Sequence, residues 1–255
     1  MALQNATGSI LISIDATIAT IEFGHPASNS FPAQLLQDLT KAIETLGQNP
    51  EVVVLVLKSQ GAAAFCAGAS FDELLAVTNE AEGKAFFSGF AHLINAMRKC
   101  PKLIVGRVQG KVVGGGVGIA AACDYVLASQ EANIKLSELA IGIGPFVIEP
   151  AVSRKIGKTA LSELALTPQE WKSAAWAKEK GLYAKTFESI EKLDKAVAEL
   201  AQILSGYNPE ALAEMKKVLW EGTDHWESLL VERAAITGKL VLSDSTKKAL
   251  AAFKK

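Results

Sequence analysis

Neither sign of charge prevails in this sequence: 26 Lys and Arg stand against 27 Asp and Glu in 255 residues, and the basic ones are scattered. Without a basic stripe there is no long-range field to gather nucleic acid or an anionic membrane surface. Cysteine is scarce as well. Cys66, Cys100 and Cys123 sit in apolar surroundings without CxxC or Cys/His spacing, which argues against a disulfide framework and against a metal site. The three histidines, His25, His92 and His225, are far apart, and none accompanies a GxSxG-type nucleophile elbow, so a triad hydrolase does not fit. No window approaches 18 uninterrupted apolar residues, and the opening MALQNATGSI has no basic start followed by an apolar stretch. The expectation is a cytoplasmic protein that is neither exported nor bound to a membrane.

What the chain does contain is core-forming material: 49% hydrophobic and 21% charged residues, enough for one large α/β domain or a core with a smaller appendage. In SILISIDATIATIEF (9–23) apolar residues alternate through Ile10, Ile12 and Ile14, then Ile18 and Ile21, which predicts a hairpin turning near Asp15 and Ala16. Leu35, Leu36, Leu39, Ile43 and Leu46 follow helical spacing up to Gly47. VVVLVL (52–57) has no polar face, so it reads as a strand covered on both sides. A second amphipathic helix runs through Phe86, Phe90, Leu93 and Met97, and LIVGRV (103–108) is another strand. Beyond about residue 150 the pattern is almost wholly helical. The predicted division is a core over 1–190 and a helical region over 191–255.

GKVVGGGVGIAAACD (110–124) places three consecutive glycines, and Gly118, inside an aliphatic run. Glycine there opposes helix and strand alike. At a strand-to-helix turn, free N–H groups and the helix end would receive an anion, although close packing of a helix on a sheet explains such a turn equally well. It is not a phosphate loop, since neither GxxxxGK[ST] nor a ribose-binding GxGxxG pattern is present. A second turn of small residues, AFCAGAS (64–70), follows the earlier strand. One N–H from each turn, converging on one oxygen, would make an oxyanion hole for a carbonyl that gains charge.

AFCAGASFDEL, VQGKVVGGGVGIAAACDYVLAS and IKLSELAIGIGP, in this order and spacing, resemble the crotonase superfamily, also called the enoyl-CoA hydratase/isomerase family, and the resemblance runs nearly end to end. It implies an α/β fold, a crotonase-like spiral of ββα units with a C-terminal helical region that builds homotrimers or dimers of trimers. It implies an acyl-CoA thioester substrate and no separate cofactor, with the thioester oxygen held by the N–H groups of Ala69 and Gly115. His25, Ala27 and Ser28 of HPASNSF, together with Ala67 and Ser70, become candidate contacts to the CoA portion.

The second of the family's two acids corresponds to Glu138; the first would fall at Gly118, which has no side chain. One carboxyl group can serve as base and then acid. The expected activity is therefore enoyl-CoA hydration. A Δ3,Δ2-enoyl-CoA isomerase using the same glutamate, or a non-catalytic CoA-binding homologue, are the alternatives. GGGVGIAAACD with LSELAIGIGP looks most like bacterial methylglutaconyl-CoA hydratases of leucine breakdown, whose substrate carries a distal carboxylate, so a pocket cation is expected; Lys111 and Lys135 lie in the right segments, though each reads first as a solvated lysine. Glu149 is the one candidate second acid. Cys66 is read as packing, Asp72 and Glu73 as helix-end residues, Asp124 as a structural hydrogen-bond partner, and the four tryptophans as packing or subunit contact.

Overall fold

The computed structural model describes residues 7–253, so the first six residues of MALQNATGSI and the final two of the closing STKKALAAFKK stretch lie outside it. The hairpin forms as expected: β1 (Ser9–Asp15) pairs antiparallel with β2 (Ile18–Gly24), Asp15 opposite Ile18. Next come α1 (Ala33–Gln48), β3 (Val54–Ser59), the short β4 (Ala64–Cys66), α2 (Phe71–Ala76) and α3 (Glu80–Lys99). The same alternation of long strand, short strand and helix recurs as β5 (Leu103–Val108), β6 (Lys111–Val113) and α4 (Gly115–Ala122). It recurs again as β7 (Tyr125–Ser129), β8 (Ile134–Lys135) and a one-turn 3-10 helix (Glu138–Ile141) followed by α5 (Glu149–Leu166). The chain then runs through α6 (Ala174–Glu179), β9 (Lys185–Phe187), α7 (Ile190–Ser205), α8 (Pro209–Leu219), α9 (Trp226–Leu240) and α10 (Asp244–Phe253). β9 interrupts the almost wholly helical stretch: three residues are too few to show an alternation, and only pairing with β7 reveals the strand.

The long strands form a six-stranded sheet in the order β1-β2-β3-β5-β7-β9, parallel from β2 onward, while β4, β6 and β8 form a small parallel sheet of their own. This is the spiral of ββα units anticipated above. The unbroken apolar run in β3 has the cause proposed for it. Leu55 and Leu57 face the main core with Leu36, Leu39 and Ile43 of α1, whereas Val54 and Val56 face a second cluster with Leu193 and Val197 of α7. Burying both faces of the sheet removes any polar side from the strand.

Asp124, just before β7, joins the C-terminal helices to the core. Its carboxylate accepts hydrogen bonds from the Ile104 N–H, the Lys216 Nζ of α8 and the Trp220 indole Nε1, each at 2.7 Å. α9 lies along α3, and α10 touches the 3-10 turn. Among the described residues, no helix is long and apolar enough to cross a membrane.

Candidate active site

Three short strands lie side by side in the order β4-β6-β8, all parallel, so their carboxyl ends open on one side. In parallel sheets this is the edge where the turns leading to following helices expose their N–H groups. The loop 67–70 leaves β4, Gly114 and α4 leave β6, and the turn starting at Glu138 follows β8. Strand order alone thus sets Gly115 between Ala69 and Glu138. All three line one cavity of roughly 200 Å³.

The two small-residue turns need glycine where the backbone enters the left-handed region, at Gly68 (φ +94°) and Gly114 (φ +54°). Within them four amides are used. The Ala67 N–H donates to the Ser28 carbonyl (3.1 Å), Gly68 to the Cys66 Sγ (3.2 Å), Ser70 to the Phe31 carbonyl (2.9 Å) and Gly114 to the Lys135 carbonyl (2.9 Å). The Ala69 and Gly115 N–H groups have no acceptor among the described residues. The turns also touch: a Cβ placed on Gly68 would stand 3.2 Å from the Val113 carbonyl oxygen and 3.9 Å from the Gly115 nitrogen. Two unspent donors therefore border one small space, as an oxyanion hole requires.

The Glu138 carboxyl rests against the glycine turn, its Oε1 3.1 Å from where a Cβ on Gly114 would be. Its Oε2 is buried without a hydrogen-bond partner among the described residues. Burial with no compensating cation pushes the carboxyl up to about 7. No other titratable side chain lines the cavity among the described residues; Phe71, Leu74, Phe87, Phe90, Ile141 and Ile148 supply much of an apolar wall.

Ile148 was not foreseen, and it accounts for the missing acid. A Cβ on Gly118 would lie 2.4 Å from the Ile148 Cγ2 and 2.5 Å from its Cβ, so the space a side chain would need is already filled. Gly118→Glu is accordingly expected to overpack this wall by about 1–3 kcal/mol, lowering Tm by roughly 2–12 °C with no gain in turnover. Thermal melts and a steady-state assay of the variant check both parts.

The other candidates separate clearly. Ala27 and Ser28 are exposed on the turn beside the first motif, Ala67 is exposed next to them, and His25 is half-buried, its Nδ1 facing the Ala27 N–H and Ser30 Oγ. Ser70 stands at the end of the same loop. It is buried, and its hydroxyl caps α2 by accepting the Glu73 N–H, because the turn leads straight into a helix whose first amides need an acceptor. The Glu73 carboxylate caps not its own helix but α1, accepting the Ala33 N–H at 2.7 Å.

Glu149 points away from the cavity. Burial raises its carboxyl, but hydrogen bonds and charge from Lys158 and Arg233 outweigh this and hold it below the usual carboxylate range. Lys111 and Lys135 both lie over the Trp171 ring, 5.3 and 5.4 Å from its centroid, and neither lines the cavity. Burial pushes the Cys66 thiol up to about 12, which leaves it inert as a nucleophile.

The sequence profile described as Enoyl-CoA hydratase/isomerase matches residues 13–255. Among relatives, the peroxisomal Delta(3,5)-Delta(2,4)-dienoyl-CoA isomerase of Arabidopsis thaliana is 27% identical over 80% of this chain and 78% of its own. The short-chain-enoyl-CoA hydratase of Clostridium acetobutylicum is 26% identical over 96% and 94%. Among solved structures, that of an enoyl-CoA hydratase from Bacillus halodurans superposes with a TM-score of 0.89 at 22% identity, covering 95% of this chain and 99% of that one.

Proposed function

The chain belongs to the enoyl-CoA hydratase/isomerase family, and from that premise we propose that it adds water to an α,β-unsaturated acyl-CoA thioester using one carboxyl group. The thioester oxygen sits between the Ala69 and Gly115 N–H groups. The ionised Glu138 takes a proton from water as the water oxygen bonds to Cβ, and the electron pair of the double bond moves through Cα onto the thioester oxygen. The resulting enolate collapses as the Glu138 carboxylic acid returns its proton to Cα. Water is consumed, the glutamate is regenerated, and no step needs a second acid.

The observation that carries this reading is the Glu138 carboxyl, its Oε2 buried and without a partner among the described residues, facing a cavity with two unspent amides. The apolar wall favours an uncharged short or branched acyl group. A methylglutaconyl chain would bring its distal carboxylate to a cavity with no cation among its described lining residues, at a desolvation cost that nothing there offsets.

One observation favours a second reading. Because Ile148 fills the space at Gly118, no second carboxyl group stands at that position, and the same carboxyl could instead move a proton between Cα and Cγ, isomerising a 3-enoyl-CoA to the conjugated 2-enoyl-CoA. Incubation with crotonyl-CoA and with a 3-enoyl-CoA separates the two: hydration removes the conjugated thioester absorbance, and isomerisation creates it. Failure to turn over either substrate rejects both readings.

Two further outcomes are expected. The free enzyme needs Glu138 ionised, so kcat/KM for hydration should rise with pH, reach half its plateau at about 7 and stay level above it; a pH–rate profile with its midpoint near 4.5 would contradict this. Ala69→Pro removes a single N–H that has no acceptor among the described residues. It should lower kcat by about 10²–10³-fold while circular dichroism remains that of the parent.

A further inference from the structure

Glu138 opens a helix of one turn whose front is held only by backbone, the Ser137 carbonyl accepting the Ala140 N–H at 3.1 Å, since the Ser137 side chain makes no capping hydrogen bond. The far end is fixed instead. Gly142 adopts the left-handed conformation (φ +83°), the Ile143 N–H donates to the Glu138 carbonyl (3.1 Å), and the Gly142 carbonyl accepts the Thr246 Oγ1 hydroxyl at 2.9 Å. Thr246 belongs to the terminal helix α10 and has no solvent exposure. Its hydroxyl in turn accepts from the Ser243 Oγ at 3.0 Å. The contact is close on the other side too: a Cβ on Gly142 would lie 2.5 Å from the Thr246 Oγ1 and 2.9 Å from its Cα. One turn further along α10, Leu250 is buried in the main core, but it makes no hydrogen bond to the turn.

From this juxtaposition we propose that Thr246 is a positioning residue for Glu138: by holding the Gly142 carbonyl it fixes the turn that aims the carboxyl into the cavity. This rests on the reading of Glu138 given above. A short 3-10 turn has few hydrogen bonds of its own. Without the hydroxyl anchor the Gly142 carbonyl would turn toward water, and the carboxyl would move with it. Glu138 is the sole titratable side chain lining the cavity among the described residues, so its titration reports its degree of burial directly.

The test compares the intact protein with Thr246→Val, Thr246→Ser and Leu250→Ala, with Glu138→Gln as the reference. Thr246→Val, nearly the same shape without the hydroxyl, should lower kcat at least about tenfold while KM changes less than about threefold. Thr246→Ser should restore kcat to within about threefold of the parent. Leu250→Ala, which loosens the same helix without touching Gly142, should leave kcat within about threefold. Independently of turnover, infrared difference titration of the protonated carboxyl band, assigned by its loss in Glu138→Gln, should give a midpoint that moves to lower pH in Thr246→Val and stays in place in Leu250→Ala.

A parental kcat and midpoint in Thr246→Val, or equal losses in Thr246→Val and Leu250→Ala, would overturn the positioning role. Thr246→Ala carries the same expectations should the valine variant not fold. Full turnover by Glu138→Gln would overturn the reading of Glu138 instead, and the infrared midpoint would still report whether Thr246 holds the carboxyl.

Discussion

Glu138→Gln should lose about 10²–10⁴-fold in turnover and at the same time unfold at a higher temperature than the parent at pH 8. The two effects share one cause. Burial pushes the carboxyl from 4.5 to about 7, so between those values the folded chain holds a proton that the unfolded chain has released. Where the native state binds more protons, stability falls as pH rises. Ionised Glu138 therefore costs nothing below about pH 4.5 and its full penalty above about pH 7, on the order of 3 kcal/mol. Glutamine keeps the shape without the charge, although its buried amide gives back about 1–3 kcal/mol if left unpaired. Melting curves at pH 8 and pH 4.5 decide the matter. The stability difference between variant and parent must shift in favour of the variant at pH 8, and a difference independent of pH would mean that the carboxyl is not desolvated.

Asp124→Ala should destabilise the fold by about 3–5 kcal/mol while leaving the cavity intact. Asp124 and Lys216 are a buried pair, with side chains 4% and 3% exposed. Removing the carboxylate leaves the ammonium with its 3.0 Å hydrogen bond to the Lys102 carbonyl, and it strips the Ile104 N–H and the Trp220 indole of their acceptor. An uncompensated buried charge costs more than the pair ever contributed. Urea unfolding should show the loss. Pairing the change with Lys216→Met should recover much of it, because no lone charge then remains. If the single and double variants are equally unstable, packing of α8 rather than charge governs this junction.

Legibility differed among parts of the molecule for identifiable reasons. β3 could be read because burial of four successive apolar side chains, Val54 to Leu57, leaves a continuous run. β4, β6 and β8 could not: strands of two or three residues carry no measurable period, and they exist as a sheet only because each unit of the spiral sets its short strand beside the previous one. The glycine turns announced themselves through a backbone conformation that other residues resist, at Gly68 and Gly114. Ile148 gave no such signal, being one aliphatic residue among many until its side chain is found against Gly118. Ser70 illustrates the opposite case. Its place before an acidic helix start, Asp72 and Glu73, is a capping signal that can be read locally, and the cap forms.

Local sequence by itself determined which backbone could bend sharply enough to bare two amides and which lone acid could stand near them, because these depend on residue type and on neighbours a few positions away. Tertiary structure alone decided how strongly that acid is desolvated, what fills the place of a second one, and that a threonine from the terminal helix grips its turn. Desolvation and steric exclusion are sums over atoms brought together from distant segments, and no short stretch of sequence contains those sums.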